Sequence, residues 1–296
     1  MDAAGASGAD SANGTSVPVL RCGRFRLTLD RPLVMAVVNV TADSFSDGGR
    51  HLESAAAVDA ARRFVAEGAD IVDIGAESTR PGAEPVSADL EWQRLRPVLQ
   101  GLADLAVPIS VDTRRAEVME QAIAAGAAII NDVGGFADRR AIAAVSAPGL
   151  APVGVIAMHM QGDPRTMQAA PFYADVVAEV TAFLAARRAA LIDAGVAADR
   201  IVVDPGFGFG KSLEHNLALL AALPRLATIA PVLAGLSRKS MLGRLTGQPV
   251  DRRLGASIAA AIAAVERGAA IVRVHDVAET VAALAVWRAV GVSRWC

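Results

Sequence analysis

One short pattern occurs three times in this chain of 296 residues: Gly68-Ala-Asp-Ile-Val-Asp73, Gly126-Ala-Ala-Ile-Ile-Asn131 and Gly268-Ala-Ala-Ile-Val-Arg273. Each copy follows an alanine-rich stretch that is typical of a helix. Its glycine suits the left-handed residue at which a helix commonly ends. The β-branched pair that follows suits a buried parallel strand. The repeat therefore predicts a helix followed by a strand that ends in a polar residue.

Five further apolar runs also end in a polar residue: Leu33–Val38 before Asn39, Ile109–Val111 before Asp112, Val153–Met158 before His159, Ile201–Val203 before Asp204, and Val232–Leu236 before Ser237. Eight strands separated mostly by helices predict a parallel α/β sheet, and eight units favour a closed TIM (β/α)8 barrel. An open doubly wound sheet is the alternative, but Asn39-Val-Thr-Ala-Asp follows the first strand where a glycine fingerprint would stand. The segment Leu20–Leu29, turning at Gly23, is predicted to form a β-hairpin over the barrel floor.

The composition of the chain excludes some classes of protein. Apolar residues make up 53% of the chain and the net charge is -2, so no basic field attracts nucleic acid. No apolar stretch is long enough to cross a bilayer. Two distant cysteines, Cys22 and Cys296, without a secretory signal predict a cytoplasmic protein. Residues 1–16 are small and polar and predict a disordered tail, which leaves residues 17–296 as a single barrel domain.

Polar residues stand at or just beyond the predicted carboxyl ends of the strands: Asn39, Asp73, Asp112, Asn131, His159, Asp204, Ser237, Arg273 and His275. In a barrel these ends converge on one face, where the catalytic residues of this fold lie. An aspartate after a strand is often only the N-cap of the next helix, and that interpretation is preferred for Asp112 or Asp132 taken alone. A single histidine such as His159 is more often structural than catalytic. The whole set predicts a polar pocket.

The stretch from Asp204 to Ser212, Asp-Pro-Gly-Phe-Gly-Phe-Gly-Lys-Ser, resembles a phosphate loop but has the wrong spacing. A phosphate loop needs a glycine five residues before Gly210, and Pro205 stands there. The glycines are instead interpreted as letting the backbone pass close to a ligand, with Lys211 near the pocket mouth. A plain tight turn is the alternative for Lys211.

An anion site is predicted where a helix starts in Leu236-Ser-Arg-Lys-Ser-Met, close to Arg273 and His275 after the last strand. Arg80 adds a cation on a loop. Four other arginines are expected to be solvated surface residues: Arg114, Arg115, Arg238 and Arg244.

Two segments on the predicted active face, Thr41–Leu52 and Ala76–Pro85, are rich in glycine or proline. Long loops on this face of a barrel are candidates for lids. Both are predicted to be mobile without substrate and to close over it, with disordered linkers as the alternative.

Eight motifs occur in order between about Leu33 and Ala289: Val38-Asn-Val-Thr-Ala-Asp-Ser-Phe-Ser-Asp-Gly-Gly, Asp73-Ile-Gly-Ala-Glu-Ser-Thr-Arg-Pro-Gly-Ala, Ile109-Ser-Val-Asp-Thr, Ile130-Asn-Asp-Val, Met158-His-Met-Gln-Gly, Asp204-Pro-Gly-Phe-Gly-Phe-Gly-Lys, Gly235-Leu-Ser-Arg-Lys-Ser and Arg273-Val-His-Asp-Val. Together they resemble the signatures of the dihydropteroate synthase family. The resemblance implies a TIM barrel that joins a pterin pyrophosphate to 4-aminobenzoate and releases pyrophosphate. It also implies Mg²⁺ as cofactor, a homodimer and a pocket that sulfonamides occupy.

The same resemblance implies roles for individual residues. Asp112, Asn131, Asp204 and Lys239 would bind the pterin. The pyrophosphate would be held by Asn39, Arg273 and His275, with Asn39 also contacting Mg²⁺. Thr79 would lie near the substrates, and Arg80 would help to form the anion site. The 4-aminobenzoate pocket would be shaped by Phe45, Pro81, Phe209, Lys211 and Ser240.

Small departures from the family pattern remove none of these ligands. Ala42 replaces a usual proline, Ala76 a common glycine, and Arg114-Arg115 a more usual aromatic-basic pair. Two alternatives stay open. A pterin-binding methyltransferase domain should lack the Ser-Arg-Lys-Ser and Arg-x-His set, and a catalytically silent paralogue would have little reason to keep Asn39 and Lys239.

Overall fold

A computed structural model of the chain describes residues 17–40, 47–77, 86–149, 152–163 and 166–291. The predicted tail of residues 1–16 therefore lies outside the described residues, as do Phe45, Thr79, Arg80, Pro81 and Cys296.

The described residues form a closed barrel of eight parallel strands and a separate two-stranded antiparallel sheet. The strands are β1 (Val19–Cys22), β2 (Phe25–Thr28), β3 (Leu33–Asn39), β4 (Ile71–Gly75), β5 (Ile109–Asp112), β6 (Ile129–Asp132), β7 (Gly154–Met158), β8 (Ile201–Asp204), β9 (Val232–Ala234) and β10 (Ala269–Val274). The barrel runs from β3 to β10 in sequence order and closes where β10 pairs with β3. This confirms the closed barrel and excludes the open doubly wound sheet.

Helices alternate with the barrel strands, as the repeat predicts. They are α1 (Asp47–Ala66), α2 (Ala88–Gly101), α3 (Ala116–Ala124), α4 (Arg139–Ser146), α5 (Val176–Asp193), α6 (Leu213–Ala221), α7 (Leu223–Leu226), α8 (Ser240–Thr246), α9 (Leu254–Glu266) and α10 (Val277–Ala289). The repeat glycines Gly68, Gly126 and Gly268 follow α1, α3 and α9 and all have a positive φ, between 94° and 102°. That conformation costs glycine little, because it has no Cβ, so the predicted helix ends are confirmed.

The hairpin β1–β2 closes the amino-terminal end of the barrel, as predicted. Leu20 and Cys22 pack in one apolar cluster with Leu33, Ile129 and other residues from the first halves of the strands. The backbone N–H of Gly23 donates to the carbonyl of Pro152 at 2.9 Å, just before β7. The floor is therefore filled by apolar side chains, and ligands must enter from the opposite end.

Several boundaries differ from the sequence prediction. β4 continues past Asp73 to Gly75. β9 ends at Ala234 rather than Leu236, and the Asp47–Leu52 part of the predicted loop Thr41–Leu52 already belongs to helix α1. Within the described part of the chain, no helix is long and apolar enough to cross a membrane.

Candidate active site

A pocket opens at the carboxyl-terminal end of the barrel. It is lined by Asp112, Asn131, Val133, Met158, Asp204, Phe207, Phe209, Gly235, Lys239 and Arg273. These residues come from the ends of β5, β6, β7 and β8, from the loops after β6, β8 and β9, and from β10. The prediction that Asp112, Asn131, Asp204 and Lys239 share one pocket on this face is confirmed.

Arg273 joins two carboxylates from neighbouring strands. Its Nε donates to Asp73 Oδ2 at 2.6 Å and its Nη2 donates to Asp112 Oδ2 at 3.0 Å. Asn131 Nδ2 donates to the same Asp73 oxygen at 3.2 Å. Asp73 is fully buried, and its Oδ1 has no hydrogen-bond partner among the described residues. A buried acceptor without a donor is costly.

Asp73 is a further functional candidate, although the resemblance to the family implies no role for it. In the sequence Asp73 closes the first copy of the repeat and opens the second family motif, but neither signal gives it a role of its own. The structure puts it in hydrogen-bond contact with Arg273 and Asn131, which both line the pocket.

Burial shifts the ionisation of the pocket. It raises the pKa of the Asp112 carboxyl to about 7, with the Asp73 carboxylate adding to the rise and Arg273 opposing it. Burial also raises the pKa of Asp204. Desolvation, with repulsion from Arg273, lowers the pKa of the Lys239 ammonium to about 8. Burial disfavours the charged form of acids and bases alike. A ligand with complementary donors and acceptors would therefore stabilise these groups.

Lys239 is held by the loop after β9 and by an aromatic ring. Its Nζ lies 4.2 Å from the centroid of the Phe209 ring, a cation–π contact. The preceding Arg238 has φ 58°, an uncommon conformation for a residue other than glycine. Arg253 Nη1 donates to the carbonyl of Arg238 at 3.0 Å, and the Arg238 N–H donates to Ser257 Oγ at 3.0 Å. The strained turn therefore has support from α9 and aims Lys239 into the barrel. Ser240 is the exposed first residue of α8.

His275 follows β10 and faces Ser237: its Nδ1 lies 3.1 Å from the serine Oγ. Burial, with repulsion from Arg273, lowers its pKa to about 4, so it is neutral at pH 7. It lines a second cavity of about 410 Å³ with Arg238, Val37 and residues of α1 and α10, whereas Arg273 lines the barrel pocket. Asn39 is exposed at the end of β3. The three residues predicted to hold an anion lie at the same rim, but the described residues do not place them in one cavity.

Lys211 does not lie near the pocket mouth, and that prediction is wrong. Its side chain is 2% exposed. The ammonium donates to the carbonyls of Gly206 and Phe209, both at 2.9 Å, and lies 3.1 Å from His159 Nδ1. Burial lowers the pKa of Lys211 to about 7. Lys211 therefore supports the glycine-rich loop from beneath.

His159 is structural, as preferred from the sequence. It is 7% exposed and packs edge-on against Phe183 at 4.9 Å between ring centroids. Asp132 is also structural, because its carboxylate accepts from the N–H groups of Gly134 and Phe136, both at 2.7 Å. It caps this turn, while Asp138 caps α4. For Asp112 the capping interpretation is wrong, since its carboxylate pairs with Arg273 across the barrel.

Two of the four arginines expected on the surface, Arg114 and Arg115, are partly buried in ion pairs, so that expectation is wrong for them. Arg238 is exposed, as expected, although it also forms an ion pair. Arg115 binds Glu77 and Glu91, Arg114 reaches Glu77 at 3.4 Å, and Arg238 pairs with Asp276. Arg244 is exposed, as expected. Sequence spacing could not reveal these pairs, because each joins residues that lie 24 or more positions apart.

The comparisons with known proteins agree with this site. The model of the family described as pterin binding enzyme matches residues 35–275. A dihydropteroate synthase of Neisseria meningitidis serogroup B is 51% identical over 282 residues, covering 93% of this chain and 98% of the relative. The dihydropteroate synthase of Escherichia coli K12 is 47% identical, covering 88% of this chain and 92% of the relative.

Solved structures give the same result. A Xanthomonas albilineans dihydropteroate synthase with 4-aminobenzoic acid has a TM-score of 0.86 and 51% identity, covering 94% of this chain and 99% of that one. A Burkholderia cenocepacia dihydropteroate synthase complexed with 7,8-dihydropteroate has a TM-score of 0.83 and 54% identity, covering 93% and 98%. The chain spans nearly the full length of these proteins, matches a pterin-binding family and carries its polar pocket at the same barrel end that its motifs predict, and it therefore belongs to the dihydropteroate synthase family.

Proposed function

We propose that this chain condenses 6-hydroxymethyl-7,8-dihydropterin pyrophosphate with 4-aminobenzoate to give 7,8-dihydropteroate and pyrophosphate. The observation that carries the proposal is the convergence of Asp112, Asn131, Asp204 and Lys239 in one pocket. The relatives solved with 4-aminobenzoic acid and with 7,8-dihydropteroate support the same substrate class.

The pocket suits a flat heterocycle with alternating donors and acceptors. Carboxylates of Asp112 and Asp204 accept from ring N–H and amino groups, while the Asn131 amide and the Lys239 ammonium donate to ring nitrogens and the carbonyl oxygen. A ring without matching groups would leave buried charges unpaired, so the pocket rejects it strongly.

The reaction proposed here is dissociative. The bond between the pterin methylene carbon and the pyrophosphate oxygen breaks first, and its electron pair leaves with the pyrophosphate. The amine nitrogen of 4-aminobenzoate then donates its lone pair to the methylene cation and loses one proton to water. The fixed charge of Arg273 favours the departing anion, and neutral His275 can donate a hydrogen bond to it from Nε2 while Nδ1 accepts from Ser237.

Mg²⁺ is proposed as cofactor because one donor of the required kind is present. Asn39 offers an amide oxygen at the exposed end of β3, and the described residues contain no cluster of histidine, cysteine or carboxylate ligands for a metal. Mg²⁺ commonly binds through one or two protein oxygens together with substrate phosphates and waters. When bound in this way it would neutralise charge on the leaving pyrophosphate.

The second substrate is proposed to lie above the pterin, against Phe209 and Ser240. Phe209 lines the pocket and stacks with Lys239, which places an aromatic face where a benzoate ring can pack. Phe45 and Pro81 would complete this wall from the two rim loops, and Thr79 and Arg80 would approach the reacting groups. Their roles are carried over from the family motifs.

An assay of product formation tests the proposal. The purified chain with both substrates and Mg²⁺ should release one pyrophosphate for each dihydropteroate formed, and EDTA should suppress the reaction. Arg273→Ala should weaken binding of the pterin pyrophosphate severely, by about 100-fold or more if it forms the main anion contact. Binding of both substrates without product would instead identify a silent paralogue.

We further propose that the chain acts in the cytosol as a homodimer. Val286 and Val290, at the end of α10 and just beyond it, are 65% and 75% exposed, and an apolar patch of this kind suits a contact between copies. Sedimentation equilibrium of the wild type and of Val286→Asp should give a dimer and a monomer. A monomeric wild type would contradict this part of the proposal.

A further inference from the structure

Asp73 lies behind the pocket and not in its wall. Its side chain is fully buried, and the described residues that line the pocket do not include it. Asp73 of β4 stands opposite Ser110 of β5, whereas Gly75, two residues further on, stands opposite Asp112. Asp73 is therefore one layer deeper in the barrel than the pocket carboxylate of Asp112. It can act on a ligand only through the residues that it contacts.

One oxygen of Asp73 contacts two residues that do line the pocket. Its Oδ2 accepts from Arg273 Nε at 2.6 Å and from Asn131 Nδ2 at 3.2 Å. Arg273 belongs to β10 and Asn131 to β6, and neither strand is a neighbour of β4 in the barrel. The contacts therefore cross the barrel interior and hold together side chains from three strands that do not pair with one another.

The two hydrogen bonds of Arg273 use one edge of its guanidinium. Nε donates to Asp73, and Nη2, which lies beside Nε on that edge, donates to Asp112 Oδ2 at 3.0 Å. Because a guanidinium is planar and rigid, two bonds along one edge fix its plane and its rotation within that plane. The outer edge, formed by Nη1 and the second hydrogen of Nη2, makes no hydrogen bond within the described part of the chain. These are the donors left for an anion in the pocket that Arg273 lines.

The contacts also keep Arg273 charged. Burial lowers the pKa of its guanidinium, but the carboxylates of Asp73 and Asp112 raise it by more. The side chain of Asp73 is 0% exposed and that of Arg273 is 21% exposed, so solvent screens their interaction weakly. An arginine that is already fixed loses little rotamer freedom when an anion binds, and donors held in place beforehand need no reorganisation as charge develops.

A buried ion pair adds little stability compared with apolar side chains of the same shape, so stability alone does not account for this one. We propose that Asp73 is a positioning residue that holds the Arg273 guanidinium with its outer edge towards the departing pyrophosphate. The inference rests on the proposed function, in which this anion is the leaving group. It gives Asp73 no contact with either substrate and no proton to transfer.

The test is a double-mutant cycle of Asp73→Leu and Arg273→Met, in which the dissociation constant of pyrophosphate with Mg²⁺ is measured by calorimetry, and by NMR titration where binding is weak. With Arg273 present, Asp73→Leu should weaken binding by on the order of tenfold to 100-fold, because small misplacements of a catalytic group are costly. With Arg273→Met, the same substitution should change the dissociation constant by less than about twofold, since its effect passes through the missing guanidinium. A purely structural role would give the same factor in both backgrounds.

Asp73→Leu removes one of the two carboxylates that pair with the buried Arg273, and it can fail to fold for that reason. Asp73→Asn then takes its place in the cycle. The asparagine can keep its oxygen towards Arg273 and place its amide nitrogen where Oδ1, which has no donor among the described residues, now lies. It should fold, and it should bind pyrophosphate less tightly than the wild type but more tightly than Asp73→Leu, because an acceptor for Nε remains.

Steady-state kinetics provide a second measurement. Asp73→Asn should raise KM for the pterin pyrophosphate and lower kcat, because Arg273 is assigned to the leaving group. KM for 4-aminobenzoate should stay within about twofold, since that substrate brings no contact with the guanidinium. A general loosening of the barrel would raise both KM values.

Asp70→Asn provides the matched control. Asp70 stands three residues before Asp73 and also pairs with an arginine, accepting from Nη1 and Nη2 of Arg31 at 2.9 Å and 2.5 Å. That pair lies before β4, at the amino-terminal end of the barrel. Asp70→Asn should alter thermal stability alone, with the affinity for pyrophosphate and both KM values unchanged.

Equal losses of pyrophosphate affinity in the two Arg273 backgrounds would overturn the inference, as would wild-type affinity in both Asp73 variants. An active wild type with either result would refute the inference alone. An inactive wild type would refute the proposed function, whatever the cycle gives.

Discussion

At the amino-terminal end of the barrel the inward-facing side chains are apolar, such as Leu33, Met35 and Ile129, and all three are at most 2% exposed. At the carboxyl-terminal end, the barrel strands present Asp112, Asn131 and other polar groups to a pocket. The first end is covered by the hairpin, and Leu20 contributes to its apolar cluster.

This difference follows from what each end must do. Apolar packing at the floor removes surface from water and stabilises the barrel. Buried charges at the rim cost desolvation energy; pairs such as that of Arg273 with Asp112 offset part of that cost, and a ligand with matching partners offsets more of it. The rim is thus stabilised less well than the floor, as is usual where binding residues concentrate. Substitutions at the rim should therefore lower activity, whereas substitutions at the floor should lower stability.

The largest effect is expected for Lys239→Met. Removing the ammonium from the pocket should lower kcat/KM by about 100-fold to 1,000-fold, as for loss of a charged group that contacts the reacting molecule. The melting temperature should not fall, because burial already penalises the charged form of Lys239. Kinetics and differential scanning calorimetry would check both statements. Arg244→Ala, an exposed site on α8, is the control and should change neither quantity.

At the floor, Leu20→Ala should have the opposite profile. Leu20 is 1% exposed, and truncating a buried leucine should lower the free energy of unfolding by about 3 kcal/mol. At a temperature where the variant is folded, kcat/KM should match the wild type. Urea denaturation measures the loss, with Leu245→Ala, 51% exposed, as control. A large fall in kcat/KM would show that the hairpin influences the rim.

Lys211→Met allows a comparison of two lysines, Lys211 and Lys239, at the same end of the barrel. Both lysines are shielded from solvent, but Lys211 contacts backbone carbonyls rather than the pocket. Its loss leaves those carbonyls unpaired and should cost about 2 kcal/mol of folding free energy. Activity should fall less than in Lys239→Met. If Lys211→Met abolished activity without a loss of stability, Lys211 would have to contact substrate after all.

The smallest effect concerns pH. Burial raises the pKa of Asp112 to about 7 from the usual 3.8, so the folded protein binds this proton more tightly than the unfolded chain. The contribution of Asp112 to stability is therefore greatest at low pH and is lost as pH rises from about 4 to about 7. Asp112→Asn should gain stability relative to the wild type over that range, measured by thermal unfolding. Asp59→Asn, at an exposed site on α1, should show no such trend.

The role of the two rim segments, Thr41–Leu52 and Ala76–Pro85, as lids stays a prediction. Residues 41–46 and 78–85 lie outside the described residues, while Ala76 and Glu77 at the start of the second segment are buried or ion-paired. Hydrogen exchange should slow in both segments when pyrophosphate and Mg²⁺ are added. Equal protection with and without ligand would contradict their role as lids.

Much of the fold and the composition of the pocket could be predicted from the sequence by itself. The helix–glycine–strand repeat is formed by residues that are close together in the sequence. Eight such units close into a barrel, in which helices cover the outer face of the sheet and side chains fill the interior. Because parallel strands end at the same edge, their terminal polar residues Asp112, Asn131 and Asp204 had to meet at one rim.

Only the tertiary structure decided what each long side chain at that rim touches. Lys211 turns beneath its own loop, Arg115 reaches back to Glu77 and Glu91, and His275 faces Ser237. Sequence spacing gives the strand end from which a side chain starts. The direction it takes depends on which carbonyls and carboxylates the neighbouring loops bring within about 3 Å, and those partners are set by packing between distant parts of the chain.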